Sequence, residues 1–532
     1  MSYQRQAIGI IKESIKSAVF IDENARGFFQ NQDELKGERE EEISIELFNN
    51  FKENGISLAI HQYKIDDEKN ENLKNYLFED RDLVLLDWNL DGNDSGQDIS
   101  LQLLSDIIKR PHIHFCTIYT SESGSKIDNV FMNILSYFSG ENKQFYDELY
   151  EDLEDEEEII ALKDALNYIN VNRDSVDCGK KIGALFQSNR TEIKKIQEIT
   201  KLSNKKCAII KASNALNRTL APIESHSCPS VVNFVNKTLV IDNTIISILN
   251  KDENSPADLI NNISNQIIQG KTSFTQLLGL EMQSIFSKSG AFIDENILDF
   301  GKDAIIFHRE KYRMDGHLHY FPEFIKEIML EKAKLNIRNK SISLLDNIFL
   351  DNQNEGKTPS DKELIAMNVF YNSTKLKNDN KLNFGDVFRK KDSKDYFICV
   401  TALCDCLRPE KIENKFFFAK GEPIKKENAL QLGDTAFVSY LSDKQIVKWT
   451  DVIPSADNLH KYSPVYIKPL QYTILNTEFE DNYITFKSIN SVGEIDTFRG
   501  EYVTTIKSNY TQRIANHAFN HPIRVGVDFV KK

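Results

Sequence analysis

The chain has 532 residues, 40% of them hydrophobic, with 33 Phe and 19 Tyr. That is too long for one core and rich enough to fill several, so about three globular domains are expected rather than a disordered chain. A net charge of −14 disfavours nucleic acid as the main partner. Seven scattered cysteines with no CxxC pair exclude a disulfide framework and fit a reduced, cytoplasmic protein. No run of 18 apolar residues occurs and the N-terminus has no signal-peptide pattern, so no membrane contact is expected.

Residues 3–16 have Ile8, Ile11 and Ile15 at helical spacing, and SAVFID at 17–22 is a short apolar run ending in acid. Residues 31–42, with six acids and two bases, read as a solvated loop or helix start. A helix over 43–54 closes at Gly55, and ISLAIHQY at 56–63 is a strand. Residues 66–79 are polar with helical spacing. The near-continuous apolar run DLVLLDW at 82–88 suits a parallel sheet. A helix over 97–109 and a strand at 112–120 complete a β–α alternation that predicts a doubly wound, flavodoxin-like sheet.

Residues 141–158 hold ten acids against one base, which reads as a solvated helix or tether, and 159–220 is helical and polar. Residues 229–249 show β-branched alternation turning at Asn243, a hairpin; Ser255-Pro256 then suits a helix start. DNQNEGKTPSDK at 350–361 has linker composition. From 384 the texture changes to short strands at about ten-residue spacing (FGDVF, YFICVTALC, LGDTAFVSY, VYIKPLQYTIL, NYITFKSI), then a helix TQRIANHAFN and a last strand IRVGVDFV. The expected domains are 1–140, doubly wound; 141–220, an acidic and helical connector; 221–350, a mainly helical middle domain with the hairpin; 351–380, a linker; and 381–532, a small β-barrel-like (SH3-like) domain.

The chemistry concentrates at the strand ends. Asp22-Glu23 follow the first strand, Asp87 ends the third, and Thr120-Ser121 end the fourth. In a doubly wound sheet these are adjacent carboxyl ends, where ligands bind. Converging acids repel and are stable together mainly around a cation, and oxygen donors suit Mg²⁺. Asp22 or Glu23, Asp87 and the carbonyl of Asn89 are the candidate ligands. A carboxylate can serve as covalent acceptor in phosphoryl transfer, with Thr120 holding a phosphoryl oxygen.

IDE at 21–23, LLDWNLDGNDSG at 85–96 and IYTSE at 118–122 resemble the response-regulator receiver pattern over about residues 15–140. The resemblance implies that Asp87 is the phosphoacceptor, that Asp22, Glu23, Asp87 and Asn89 hold Mg²⁺, and that Thr120 and Ser121 contact the phosphoryl group. It implies a histidine-kinase-like ATPase as donor and further protein partners. The helix running straight into KSAVFIDEN resembles a subgroup of receivers fused to large bacterial regions, and such receivers resemble those encoded beside such ATPases in bacterial conflict or phage-defence loci. The sequence departs from the pattern at Asp91, where proline is usual, at Gly96, one residue late, and at Ser121, where alanine is usual. The pattern's lysine after a fifth strand has no evident counterpart: Lys126 and Lys143 lie nearby, but neither follows a clear apolar strand.

Other constellations read as structural. Cys404 and Cys406, His112 and His114, His226 and Cys228, and His317 and His319 lack the further ligands of a metal site. Arg513, His517 and Arg524 form a possible basic surface on the C-terminal domain, as an alternative to simple closure of the barrel. The expected function is a phosphoacceptor regulator rather than a catalyst, switching the middle and C-terminal regions. The alternatives are a phosphorylation-independent scaffold with a degenerate receiver and an effector enzyme with an unrecognised site in 200–532.

Overall fold

The computed structural model describes residues 2–27, 39–91, 96–139, 229–270 apart from 234, 273–289, 298–314, 320–374, 381–432, 437–450, 467–489 and 495–519, with positions 194 and 197. The chain divides into two compact units, residues 1–292 with 332–353, and residues 293–331 with 354–532.

The first unit runs α1 (Tyr3–Ser14), β1 (Ser17–Asp22), α2 (Arg39–Glu53), β2 (Ser57–Gln62), α3 (Glu71–Phe78), β3 (Leu83–Leu86), α4 (Gly96–Ile107), β4 (His114–Thr120) and α5 (Ser125–Ser139). It resumes with β5 (Val231–Asn233), β6 (Thr238–Ile241), β7 (Thr244–Asn250), α6 (Leu259–Ile268) and α7 (Ser273–Ser289). Seven strands form one sheet in the order β2-β1-β3-β4-β7-β6-β5. The first five are mutually parallel, while β6 and β5 extend the edge antiparallel.

The strands are apolar on both faces because both faces are covered. Successive side chains point to opposite sides, so Val19, Ile21, Val84, Leu86, Ile118 and Ile248 pack with Leu101, Leu104, Phe131 and Leu135 of α4 and α5. Their neighbours Phe20, Leu83, Leu85, Phe115 and Leu249 pack on the other face with Ile11, Leu47, Phe51 and Ile263 of α1, α2 and α6. This is the expected doubly wound arrangement.

The hairpin expected at 229–249 forms, with Asp242 at φ +48° in its turn. The Asn243 amide donates to the carbonyl of Pro111 at 2.7 Å, which pins that turn to the start of β4. The sequence reading assigned these strands to a separate middle domain at 221–350. In the structure they are hydrogen-bonded into the sheet of β1–β4: β7 pairs with β4 along its whole length, from His114 opposite Thr244 to Thr120 opposite Asn250. All seven residues of β7 are buried, as a central parallel strand requires and an exposed hairpin does not. The helix expected from Ser255-Pro256 begins later, at Leu259, after a turn over 251–258. The acidic run 141–158 lies outside the described residues.

In the second unit, helix Lys302–Met314 meets the first turns of helix Tyr320–Arg338 through His308, Tyr312, Phe321 and Phe324; the helix's residues from 332 on are assigned to the first unit. Helix Asp361–Asn372 forms inside the segment 351–380 expected as linker; it starts with a capping box between Ser360 and Glu363 and buries Leu364 and Ile365 against Ala429 and Val438. Strands β9 (Asp386–Lys390), β10 (Tyr396–Cys399), β11 (Lys415–Pro423), β14 (Pro469–Ile474), β15 (Tyr483–Ile489) and β16 (Ile495–Ile506) form a closed barrel, because β10 pairs with both β9 and β11. Strands β12 (Val438–Tyr440) and β13 (Ile446–Lys448) extend from β11, and β8 (Ser373–Thr374) pairs with β16. The interior is aromatic, with Phe388, Phe397, Phe418 and Phe486 in contact. A helix follows at Ser508–Ala518 as expected; the last strand, IRVGVDFV, lies outside the described residues.

Candidate functional site

Two strands deliver three acids to one end of the sheet. β1 ends at Asp22, which is fully buried, and Glu23 follows it. β3 ends before Asp87, whose backbone N–H continues the ladder to the carbonyl of Ile21 at 3.0 Å. Carboxylate oxygens of Asp22, Glu23 and Asp87 all lie within 4.8 Å of one another. Each turn is tied to its own carboxylate: Asn24 N–H donates to Asp22 Oδ1 at 2.7 Å, and Asn89 N–H to Asp87 Oδ2 at 2.8 Å. Gly96 opens α4 directly against this turn, where a Cβ would stand 2.0 Å from Asn89 Oδ1. That explains a glycine at this position despite the longer loop.

A fourth charged group completes the pocket. Lys251 directly follows β7 and is 4% exposed. Its ammonium lies 2.6 Å from both Asp22 Oδ2 and Asp87 Oδ1, and 3.8 Å from Glu40 Oε1. Neither lysine considered from sequence takes this place. Lys126 is exposed and pairs with Glu122 at 3.0 Å, and Lys143 lies outside the described residues. Sequence reasoning missed Lys251 because the end of β7 meets the end of β4 across a 129-position gap, from Ser121 to Asn250. The signal was present in NTIISILNK: an unbroken apolar run followed by lysine reads as a central parallel strand ending in a cation.

Burial of charge sets the electrostatics. Burial works against the Lys251 ammonium, but Asp87 and Asp22 beside it hold its pKa above the ordinary lysine value. Burial pushes the Asp87 carboxyl up to about 6, with Asp22 adding to this and Lys251 opposing it. Burial, then the neighbouring Asp22 and Asp87, raise Glu23 to about 7. One ammonium thus touches two carboxyl groups, Asp22 and Asp87, with Glu40 at 3.8 Å and Glu23 beside the two aspartates. The Oε2 of Glu23 and the Oδ1 of Asn89 are buried without a hydrogen-bond partner. Unpartnered hard oxygen donors beside surplus negative charge are what a small divalent cation needs, so the donor set fits Mg²⁺.

Thr120 is 2% exposed; its hydroxyl accepts from Glu122 N–H at 3.1 Å and its carbonyl from Lys251 N–H at 2.8 Å. Ser121 is exposed and joins the network through its carbonyl, which accepts from the Asn250 amide at 3.3 Å.

The remaining sequence candidates lie elsewhere. His114 is bonded to the carbonyl of His112 and to Thr244, His112 to the carbonyl of Arg81, and burial lowers His114 to about 4. Cys406 contacts Cys399 at 3.9 Å and the carbonyl of Thr401. Arg513 lies over the Phe437 ring at 4.3 Å and His517 meets the same ring at 4.5 Å, while Arg524 is outside the described residues. His226, Cys228, His317 and His319 are also outside them. Among the described residues no helix is long and apolar enough to cross a membrane.

No curated protein and no solved structure matches the chain. Residues 14–167 match the family model described as Response receiver domain. That range contains β1–β4, Asp22, Glu23, Asp87 and Thr120 but ends well before Lys251. The chain contains a response receiver domain, and a strand from beyond the matched residues supplies the cation of its acidic pocket.

Proposed function

We propose that this protein is a response regulator in which Asp87 accepts a phosphoryl group and Lys251 pairs with it. The position of Lys251, bridging Asp87 and Asp22 at 2.6 Å each, carries the reading. A lysine after a fifth strand has no evident counterpart in the linear sequence, and that absence was the ground for a degenerate scaffold.

In the transfer, a carboxylate oxygen of Asp87 forms a bond to phosphorus while the bond from phosphorus to the donor's leaving group breaks, that group departing with the electron pair. The protein's task is alignment and charge neutralisation. Lys251 neutralises Asp87 and then the transferred group, and Thr120 can turn its hydroxyl to a phosphoryl oxygen. Asp22, Glu23, Asp87 and the carbonyl of Asn89 would hold Mg²⁺, which when bound supplies further neutralisation of the incoming phosphoryl charge. The product, an acyl phosphate with roughly one to two added negative charges, would draw Lys251 from Asp22. That movement acts on the 251–258 turn and on α6, and is the proposed input to the output regions. A histidine-kinase-like ATPase is the donor class this reading expects.

Intact-mass spectrometry after incubation with acetyl phosphate and Mg²⁺ tests it. The wild type should gain one phosphoryl group, labile to hydroxylamine, and Asp87→Ala none. An adduct that survives Asp87→Ala, or no adduct with acetyl phosphate or a kinase-type donor, would refute Asp87 as acceptor.

A further inference from the structure

Asn250, the last residue of β7, is 1% exposed, and every hydrogen-bonding position of its carboxamide is filled. Its Nδ2 donates to the carbonyls of Glu122 at 2.8 Å and Ser121 at 3.3 Å, in the loop that follows Thr120. Its Oδ1 accepts from Asp252 N–H at 2.7 Å and Glu253 N–H at 2.8 Å, in the turn that follows Lys251. The partners fix the amide's orientation, since two carbonyls need its donors and two N–H groups need its acceptor. Between these clamped loops, Lys251 N–H donates to the carbonyl of Thr120 at 2.8 Å.

We propose that Asn250 is the positioning residue of the pocket, fastening the Thr120 loop and the Lys251 turn into one body that presents the hydroxyl and the ammonium to the phosphoryl group at a fixed spacing. Geometry makes the assignment specific. Asn250 touches neither Asp22, Glu23 nor Asp87, so it shapes the side of the pocket that meets the phosphoryl group and leaves the carboxylates alone. It also joins residues on opposite sides of the 129-position gap, so the clamp fixes the returning strand to the switch side of the site. An aspartate here would keep the acceptor but set an oxygen against two carbonyls, and an alanine would leave four backbone groups to find other partners.

The inference rests on the phosphoacceptor reading and is tested on the full chain with beryllofluoride as phosphoryl mimic. Trp88, buried beside Asp87, reports Mg²⁺ and beryllofluoride binding by fluorescence. Asn250→Ala and the isosteric Asn250→Asp should each bind beryllofluoride about tenfold more weakly, the order expected for losing one or two net hydrogen bonds. Both should bind Mg²⁺ no more weakly than wild type, because the carboxylates sit on other strands. Unchanged beryllofluoride affinity in both variants would overturn the proposal. So would a parallel loss of Mg²⁺ and beryllofluoride with a lowered unfolding midpoint, which marks a merely structural residue. A wild type that binds Mg²⁺ but no beryllofluoride would instead bring down the phosphoacceptor reading, and the clamp's role with it.

Discussion

The sheet of the first unit and the barrel of the second handle charge in opposite ways. At the carboxyl ends of β1, β3 and β7, the structure buries Asp22, Asp87 and Lys251 together. In the barrel the interior is aromatic, and ion pairs such as Arg389–Glu501 at 2.7 Å and Lys420–Asp395 at 3.1 Å stay at the surface. Its buried Asp386 accepts from Asn383 N–H and the Thr505 hydroxyl, both at 2.7 Å. Desolvating charge is costly, so a fold tolerates it where geometry compensates or chemistry requires it. By that criterion the candidate site is at the sheet, and the barrel's ion pairs are surface features.

The sharpest way to break the comparison is to remove one central side chain from each region. Lys251→Ala strands two carboxylates in a buried site and should destabilise the first unit by about 3–5 kcal/mol, the usual cost of breaking a buried pair. Chemical denaturation followed at Trp88 reads this directly. A loss below about 1 kcal/mol would mean that water or rearrangement already compensates the acids. In the barrel, Phe486→Ala removes an aromatic hub and should cost about 3–5 kcal/mol through the cavity it leaves. Mg²⁺ binding at Trp88 should survive it; loss of that binding would contradict the localisation of the site.

A smaller effect is pH-dependent. Glu23 titrates near 7 in the folded protein, against 4.5 for an ordinary glutamate. Between those values the folded state holds the extra proton, so the Glu23 contribution to stability falls as pH rises through this window. Without divalent cations, the wild type should lose more stability than Glu23→Gln between pH 5 and 8, and added Mg²⁺ should narrow the gap. Equal pH profiles would place the compensating charge elsewhere. Smallest of all, Arg389→Ala removes a half-exposed pair and should cost about 0–1 kcal/mol in high salt or low.

What could be read in advance was what is local in the chain. DWNL and its flanking apolar run place Asp87 within a few residues of the strand that aims it, and the alternation of β1 to β4 needs no long-range knowledge. Lys251 was illegible for the opposite reason, since its meaning depends on a neighbour 229 residues away. The barrel was legible as short strands, but β16, IDTFRGEYVTTI, hides behind charge and glycine. Its Gly500 is needed because a Cβ there would meet the Phe486 ring at 2.5 Å, a constraint visible only once the strands are paired. KFFFAKGEP was passed over for a similar reason: its polar end reads as loop until β10 and β13 are laid beside it.

The late arrival of β7 also governs how the chain can be cut and made. During synthesis, β1 to β4 leave the ribosome long before residues 244–251, so β4 waits with a bare hydrogen-bonding edge and two buried-to-be aspartates wait without their ammonium. A long wait of this kind slows folding and invites wrong partners at the open edge. A fragment trimmed to residues 14–167 would make that waiting state permanent, a receiver with its edge unzipped, whereas cloning through the end of α7 at Ser289 keeps the strand that closes it.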